Sequence, residues 1–237
     1  MDLFTLTVLS HQKIAKETYQ LKLERPKDIL LQAGQFAMLK IEGKFLKRPL
    51  SISDYNQDSI TFIYKILGEG TALLSKQNPT EIEALLPLGK AFPLSSKAAT
   101  LIAGGVGIAP MTALARELYQ LGTPLEIFLG YKCKEEIFSI NELKQYGKVT
   151  YYTEDGSAGK KGYCLPDDLD CNRLIYACGP HPMLHAIAKK YSNQGWLSTE
   201  EYMACGFGIC AGCVISLKSG LKKVCVDGPV FAIEEFK

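Results

Sequence analysis

Hydrophobic and polar positions change their rhythm once along this chain, near residue 97. Before it, apolar and polar residues alternate in short runs. Leu3-Phe4-Thr5-Leu6-Thr7-Val8-Leu9 and Thr18-Tyr19-Gln20-Leu21-Lys22-Leu23 alternate or carry β-forming side chains, and Phe36 to Ile41 and Ser59 to Ile66 behave alike. A period of two places alternate side chains on one face, as a half-buried strand requires. Turn residues punctuate the runs at Arg25-Pro26, Ala33-Gly34, Asp54 to Asp58, Asn78-Pro79 and Leu88-Gly89. Short strands at this spacing predict a small antiparallel β-barrel, with helix only around Gly70 to Ser75.

Beyond Lys97 strands alternate with helical periodicity. Ala98 to Ala103 reads as a buried strand, and Met111 to Leu121 places Met111, Leu114, Ala115 and Leu118 at helical spacing. Leu125 to Gly130, Lys148 to Tyr152 and Arg173 to Cys178 read as further strands, and Pro182 to Ser192 as a helix. This alternation predicts a parallel, doubly wound sheet. From Trp196 the remaining tail is too short for another such unit. The expected fold class is therefore α+β multidomain. It comprises an antiparallel barrel over residues 1–96, an α/β parallel-sheet domain over 97–195 and a small C-terminal domain over 196–237.

Composition narrows the function. An apolar fraction of 47% and a charged fraction of 22% are those of an ordinary globular protein. A net charge of +2 gives no concentrated basic face for nucleic acid. No apolar run approaches 18 residues, so no membrane span is expected. The N-terminal stretch lacks a basic region followed by an apolar block, which predicts a cytoplasmic protein whose eight cysteines stay reduced or bind metal.

Candidate chemistry gathers at a few short motifs. Gly104-Gly105-Val106-Gly107-Ile108-Ala109-Pro110 lies between a buried strand and a helix, where backbone N–H groups can receive phosphate. Alone it is equally a tight strand–helix turn. Tyr176-Ala177-Cys178-Gly179-Pro180 ends another strand of the same unit, so two glycine-bearing strand ends face one crevice. Arg48-Pro49-Leu50-Ser51 offers a guanidinium beside a hydroxyl, and Gly68-Glu69-Gly70-Thr71 offers backbone donors. An exposed strand edge and a turn are the plainer readings of these two.

The tail is sharper. Cys205, Cys210, Cys213 and Cys225 give C-x4-C-x2-C-x11-C, with Gly206, Gly208 and Gly212 between. Ferredoxin-like [2Fe–2S] clusters use C-x4-C-x2-C plus a distant fourth cysteine, whereas zinc sites usually pair two short knuckles. The lone fourth ligand favours iron–sulfur over zinc. His181 and His185, four apart on a predicted helix, lack a third ligand in sequence. Cys133, Cys164 and Cys171 have no metal-binding spacing and read as inert.

Together these residues resemble the ferredoxin–NAD(P) reductase superfamily. More narrowly, they resemble the electron-transfer subunits of class 1B (NAD-linked) dihydroorotate dehydrogenase, over essentially the whole chain. Besides the motifs above, Ala33-Gly34-Gln35-Phe36, Thr153-Glu154-Asp155-Gly156-Ser157 and Cys225-Val226-Asp227-Gly228-Pro229 carry the likeness. The resemblance implies that Arg48, Pro49, Leu50 and Ser51 bind FAD, with Arg48 on its pyrophosphate. It further implies that Lys65, Ile66 and Leu67 line the flavin through their backbone, and that Gly70 and Thr71 hold phosphates. Gly105, Gly107, Cys178 and Gly179 would border the nicotinamide of NAD, and the four tail cysteines would ligate the cluster.

In such a chain no catalytic acid–base group is expected. The resemblance assigns dihydroorotate oxidation to a separate FMN-containing catalytic subunit, in a heterotetramer of two subunits of each kind. Electrons would pass from there through the cluster and FAD to NAD⁺. The stretch Gly130 to Glu136 offers lysines but no arginine for a 2′-phosphate, which favours NAD over NADP. Small subunits of electron-bifurcating transhydrogenases and sulfhydrogenases share these motifs, and a flavin- or zinc-binding module without enzyme activity remains the alternative from another class.

Overall fold

A computed structural model describes residues 1–191 and 194–236. The first six strands are β1 (Asp2–Ala15), β2 (Thr18–Glu24), β3 (Phe36–Leu39), β4 (Arg48–Tyr55), β5 (Ser59–Lys65) and β6 (Glu81–Leu88), with helix α1 (Glu69–Leu74) before β6. They close a barrel in the order β1-β2-β5-β4-β3-β6. Closure gives every strand of the barrel a neighbour on each side over at least part of its length. Its interior is apolar because alternate residues point inward: Leu21 and Leu23 on β2, Phe62 and Tyr64 on β5, and Ile82, Ala84 and Leu86 on β6.

Two of these strands, β4 and β6, carry prolines that argue against a strand in a sequence reading. The structure resolves both. Phe36 pairs with Leu88 but Met38 pairs with Leu85, so Pro87 sits in a bulge where a missing N–H costs no ladder bond. Residues Arg48 to Ser51 pair with β3, whereas pairing of β4 with β5 begins only at Ile52. The first half of β4, Pro49 included, therefore has one edge outside the ladder.

The second body is built from β7 (Ala99–Gly104), α2 (Met111–Gln120), β8 (Leu125–Tyr131), α3 (Ile140–Leu143), β9 (Lys148–Thr153), β10 (Lys160–Lys161), β11 (Leu174–Cys178), α4 (His181–Lys190) and β12 (Gly195–Ser198). Next come β13 (Val214–Leu217), β14 (Gly220–Lys223), α5 (Val224–Asp227) and β15 (Val230–Ala232). The large sheet runs β10-β9-β8-β7-β11-β12-β15, parallel except for β15, which lies antiparallel to β12. Strand order changes direction at β7, between β8 and β11, and such switch points open a crevice beyond the strand ends.

The tail does more than form a separate unit. β12 spans the expected boundary at 195/196, and β15 returns to the sheet after the β13–β14 hairpin. The predicted helix end at Ser192 lies outside the described residues, as does Lys237; α4 closes at Lys190. Among the described residues no helix is long and apolar enough to cross a membrane.

Candidate functional site

The open edge of β4 forms the first part of the site. Arg48 and Gly70 lie against one another so closely that a Cβ on Gly70 would collide with the guanidinium. Arg48 Nη1 donates to Leu46 O at 2.6 Å. A guanidinium has five donors, so this bond anchors Arg48 while leaving capacity for an anion. Thr71 Oγ1 accepts Leu67 N–H at 3.0 Å and Gly68 N–H at 3.3 Å, folding the loop that follows β5. The Leu67 side chain is 74% exposed beside it. Arg48, Ser51, Lys65–Leu67, Gly70 and Thr71, dispersed in sequence, thus converge on the free edge of β4 and the end of β5. A guanidinium, an open strand edge and an uncovered apolar side chain fit a dinucleotide with a phosphate and a flat ring.

The second part is the crevice between β7 and β11. A 3₁₀ turn over Gly105–Ile108 joins β7 to α2, at the glycine turn expected from sequence. Its Gly107 packs on the other loop: a Cβ there would stand 2.6 Å from Cys178 C and O and 2.7 Å from Gly179 Cα. The two glycine motifs therefore touch through backbone at the carboxyl ends of adjacent strands. Burial, and then the neighbouring Glu200 carboxylate, push the Cys178 thiol well above its ordinary range, so it stays protonated. Cys178 is a neutral wall, and the arrangement fits a nucleotide that approaches along bare backbone.

The third part is the cysteine arm. The thiols gather as two pairs: Cys210 N–H donates to Cys205 Sγ at 3.5 Å, and Cys225 N–H to Cys213 Sγ at 3.4 Å. Gly212 N–H adds a bond to Cys210 Sγ at 3.4 Å. Burial opposes ionisation of Cys205, but the N–H groups of Cys210, Phe207 and Ile209 outweigh it and bring the thiol below its ordinary value. N–H groups turned toward sulfur stabilise thiolate, the form that holds metal. A loop with three thiols and a distant fourth, its sulfurs met by backbone N–H groups, is the ligand pattern of a binuclear cluster. The donor set fits a [2Fe–2S] cluster. His181 and His185 do not meet: His181 Nε2 pairs with Glu201 Oε1 at 2.6 Å, and His185 packs edge-on against Phe236.

What joins the three parts was not readable from sequence. Cys213 and Cys225 are buried in one apolar cluster with Phe36 and Met38 of β3, together with Leu88 and Phe231. Phe36 pairs with Ser51 and Met38 with Pro49. The cysteine arm thus rests on the strand next to Arg48–Ser51, and adjacent strands lie about 4.8 Å apart. On its other side β4 reaches the nucleotide loop, where Ser53 Oγ donates to Ala109 O at 2.8 Å. Arg116 of α2 donates to Asp54 and, at 2.6 Å, to Tyr55 O. Glu117 accepts from Tyr55 OH and from Ala33 N–H. Lys65 Nζ meets Glu136 Oε1 at 2.6 Å. The only sequence signal for these residues was their neighbourhood to motifs.

Comparison with known proteins bears directly on two of the three parts. The iron–sulfur cluster binding domain of dihydroorotate dehydrogenase B matches residues 200–237, and the oxidoreductase NAD-binding domain matches residues 101–189. A dihydroorotate dehydrogenase B (NAD(+)) electron transfer subunit from Bacillus caldolyticus is 38% identical over 97% of this chain and 96% of its own. Its counterpart from Streptococcus mutans is 37% identical over 95% of each. Among solved structures, an NADH-dependent reduced ferredoxin-NADP oxidoreductase superposes with a TM-score of 0.88 at 26% identity, covering 97% of this chain and 88% of that one. An Amycolatopsis cytochrome P450 reductase shares the fold, with a TM-score of 0.69 at 21% identity, over 80% of this chain and 66% of that one.

Proposed function

Because this chain belongs to the family of dihydroorotate dehydrogenase B electron transfer subunits, we propose that it carries electrons between a dihydroorotate-oxidising catalytic subunit and NAD⁺ through a [2Fe–2S] cluster and FAD. The observation that carries the order of carriers is the central place of β4. Its first half presents Arg48 to Ser51, its partner strand β3 supports the cysteine arm, and its Ser53 holds the nucleotide loop. When bound, the flavin exchanges two electrons with pyridine nucleotide and single electrons with the cluster.

The protein's share is binding and orientation. Arg48, Pro49, Leu50 and Ser51 hold FAD along the free edge of β4, with Lys65, Ile66 and Leu67 at the flavin and Gly70 and Thr71 near its phosphates. Gly105, Gly107, Cys178 and Gly179 border the nicotinamide, where the Gly107 and Cys178–Gly179 backbones pack together. Cys205, Cys210, Cys213 and Cys225 would together hold the cluster. No residue need move a proton between substrates, which agrees with a neutral Cys178. The partner is an FMN-containing catalytic subunit, in a heterotetramer of two plus two. Thiols that must stay reduced to take up iron suit the cytoplasm.

A bifurcating transhydrogenase role shares the fold, but its relative stands at 26% identity against 37–38% for the dihydroorotate-linked subunits. Purification with the catalytic subunit tests the proposal: dihydroorotate should then reduce NAD⁺, and either subunit alone should fail. In Cys205→Ser the EPR signal of the reduced cluster should vanish while FAD stays bound and NADH–dye activity persists. Loss of dye reduction along with the EPR signal would refute the order of carriers.

A further inference from the structure

The flavin-binding end of β5 and the nucleotide-binding loops belong to different sheets, yet hydride transfer demands a fixed distance between them. At that seam Lys65 and Glu136 form an ion pair. Lys65, the last residue of β5, places Nζ 2.6 Å from Glu136 Oε1, with side chains only 14% and 10% exposed. Glu136 ends a 3₁₀ turn over Lys134–Glu136, just beyond the carboxyl end of β8.

Backbone bonds on both sides make the pair part of a continuous strap. Lys16 N–H, in the β1–β2 turn, donates to Glu135 O at 2.8 Å, and Ile66 N–H donates to Glu17 O at 2.8 Å. Lys134 N–H donates to Ser157 Oγ at 2.8 Å, in the loop after β9. The strap therefore runs from the backbone assigned to the flavin, through the β1–β2 turn, to the loops at the ends of β8 and β9. A dehydrated ion pair is a costly way to gain stability, since apolar residues often do as well. Fixing one geometry is the use that suits it, because a carboxylate and an ammonium accept few arrangements at 2.6 Å.

We propose that the Lys65–Glu136 ion pair is the clamp that holds the pyridine-nucleotide loops at working distance from the flavin end of β5, which makes Glu136 a positioning residue for hydride transfer. The proposal rests on the flavin and nucleotide sites assigned above. It concerns distance only: the hydride leaves reduced nicotinamide and the flavin receives it, with no proton passing through Lys65 or Glu136.

The test compares Glu136→Gln and Glu136→Asp in the FAD-loaded full chain. Anaerobic stopped-flow at saturating NADH follows flavin bleaching, and hydrogen exchange follows the Lys16 and Ile66 amides. A misplacement near 1 Å costs about 100-fold in rate. Glu136→Gln should therefore slow bleaching at least about 10-fold, with half-saturation by NADH changed less than about 3-fold. Glu136→Asp, whose carboxylate is drawn back by about one 1.5 Å carbon–carbon bond, should fall between and covers the case in which Gln does not fold. The Lys16 amide should exchange faster in both, and Glu136→Asp, which keeps the charge, should lose less protection than Glu136→Gln. Wild-type bleaching in folded, FAD-bound Glu136→Gln or Glu136→Asp would overturn the clamp, as would unchanged Lys16 protection in both. Wild-type protein without flavin absorption would instead sink the flavin assignment, and the exchange comparison would still decide whether the strap depends on the pair.

Discussion

Gly107→Ala asks whether the two strand-end loops must touch for nucleotide to react. The added Cβ would lie 2.6 Å from Cys178 C and O. Those are backbone atoms, so no rotamer change relieves the contact. Carbon atoms rest at about 3.5 Å, and reaching that from 2.6 Å opens the crevice by about 0.9 Å. Overpacking of this kind costs about 1–3 kcal/mol in stability, which a domain of this size tolerates. A displacement near 1 Å at the reacting groups costs about 100-fold in rate. NADH–ferricyanide turnover of the folded variant should therefore fall by one to two orders of magnitude, counted as roughly 10- to 100-fold. Because the three heavy atoms nearest the added Cβ all belong to Cys178 and Gly179, FAD content and the EPR signal of dithionite-reduced protein should match wild type. A variant that turns over NADH at the wild-type rate and half-saturation would refute the idea that contact between Gly107 and Cys178–Gly179 shapes the site.

Three further outcomes are expected. Gly206→Ala should release the cysteine arm, since Gly206 has φ +80° and its Cβ would lie 2.5 Å from Met38 Cγ. The left-handed backbone adds about 1–2 kcal/mol for a non-glycine residue, so iron and acid-labile sulfide should drop well below wild-type content; unchanged content would contradict docking on β3. Ser53→Ala leaves the Ala109 carbonyl without its donor, and denaturant titration should register a loss of about 1–3 kcal/mol, with a loss under about 0.5 counting against the link. Stability should also depend on the carboxyls at the seam between barrel and sheet. Burial raises Asp54, Glu117 and Glu142 above their ordinary values, 3.8 for Asp and 4.5 for Glu, against the opposing pull of Arg116 on each. The native state then keeps protons that the unfolded chain has released, so these groups lower stability as pH rises from those ordinary values through the raised ones. Melting curves of Glu117→Gln against wild type should diverge in favour of the variant across that window, and divergence in the opposite sense would reverse the assignment.

Much of the fold was legible because its signals are local. Alternation over Thr18 to Leu23 and helical spacing over Met111 to Leu121 depend on neighbours a few residues apart, and β2 and α2 formed where they predict. The cysteine spacing was equally readable, since three of four thiols share one loop. Strand β6 was missed because Pro87 argues against a ladder, and only its partner strand reveals the bulge that accepts it; at Arg48–Ser51 a strand edge was readable, but not which neighbour leaves it open. The return of Val230–Ala232 to the sheet was missed for a similar reason, as three residues carry no period.

By itself the sequence determined which chemistry the chain can host: a thiol-rich loop, two glycine loops at strand ends, an arginine beside a hydroxyl. Only the tertiary structure decided which of these lie against one another. Met38 under the cysteine arm, Ser53 on Ala109 and Lys65 against Glu136 join positions that are 56 or more residues apart. Contacts at that separation are fixed by how sheets close and pack rather than by any local period, so their partners become visible only once the chain has folded.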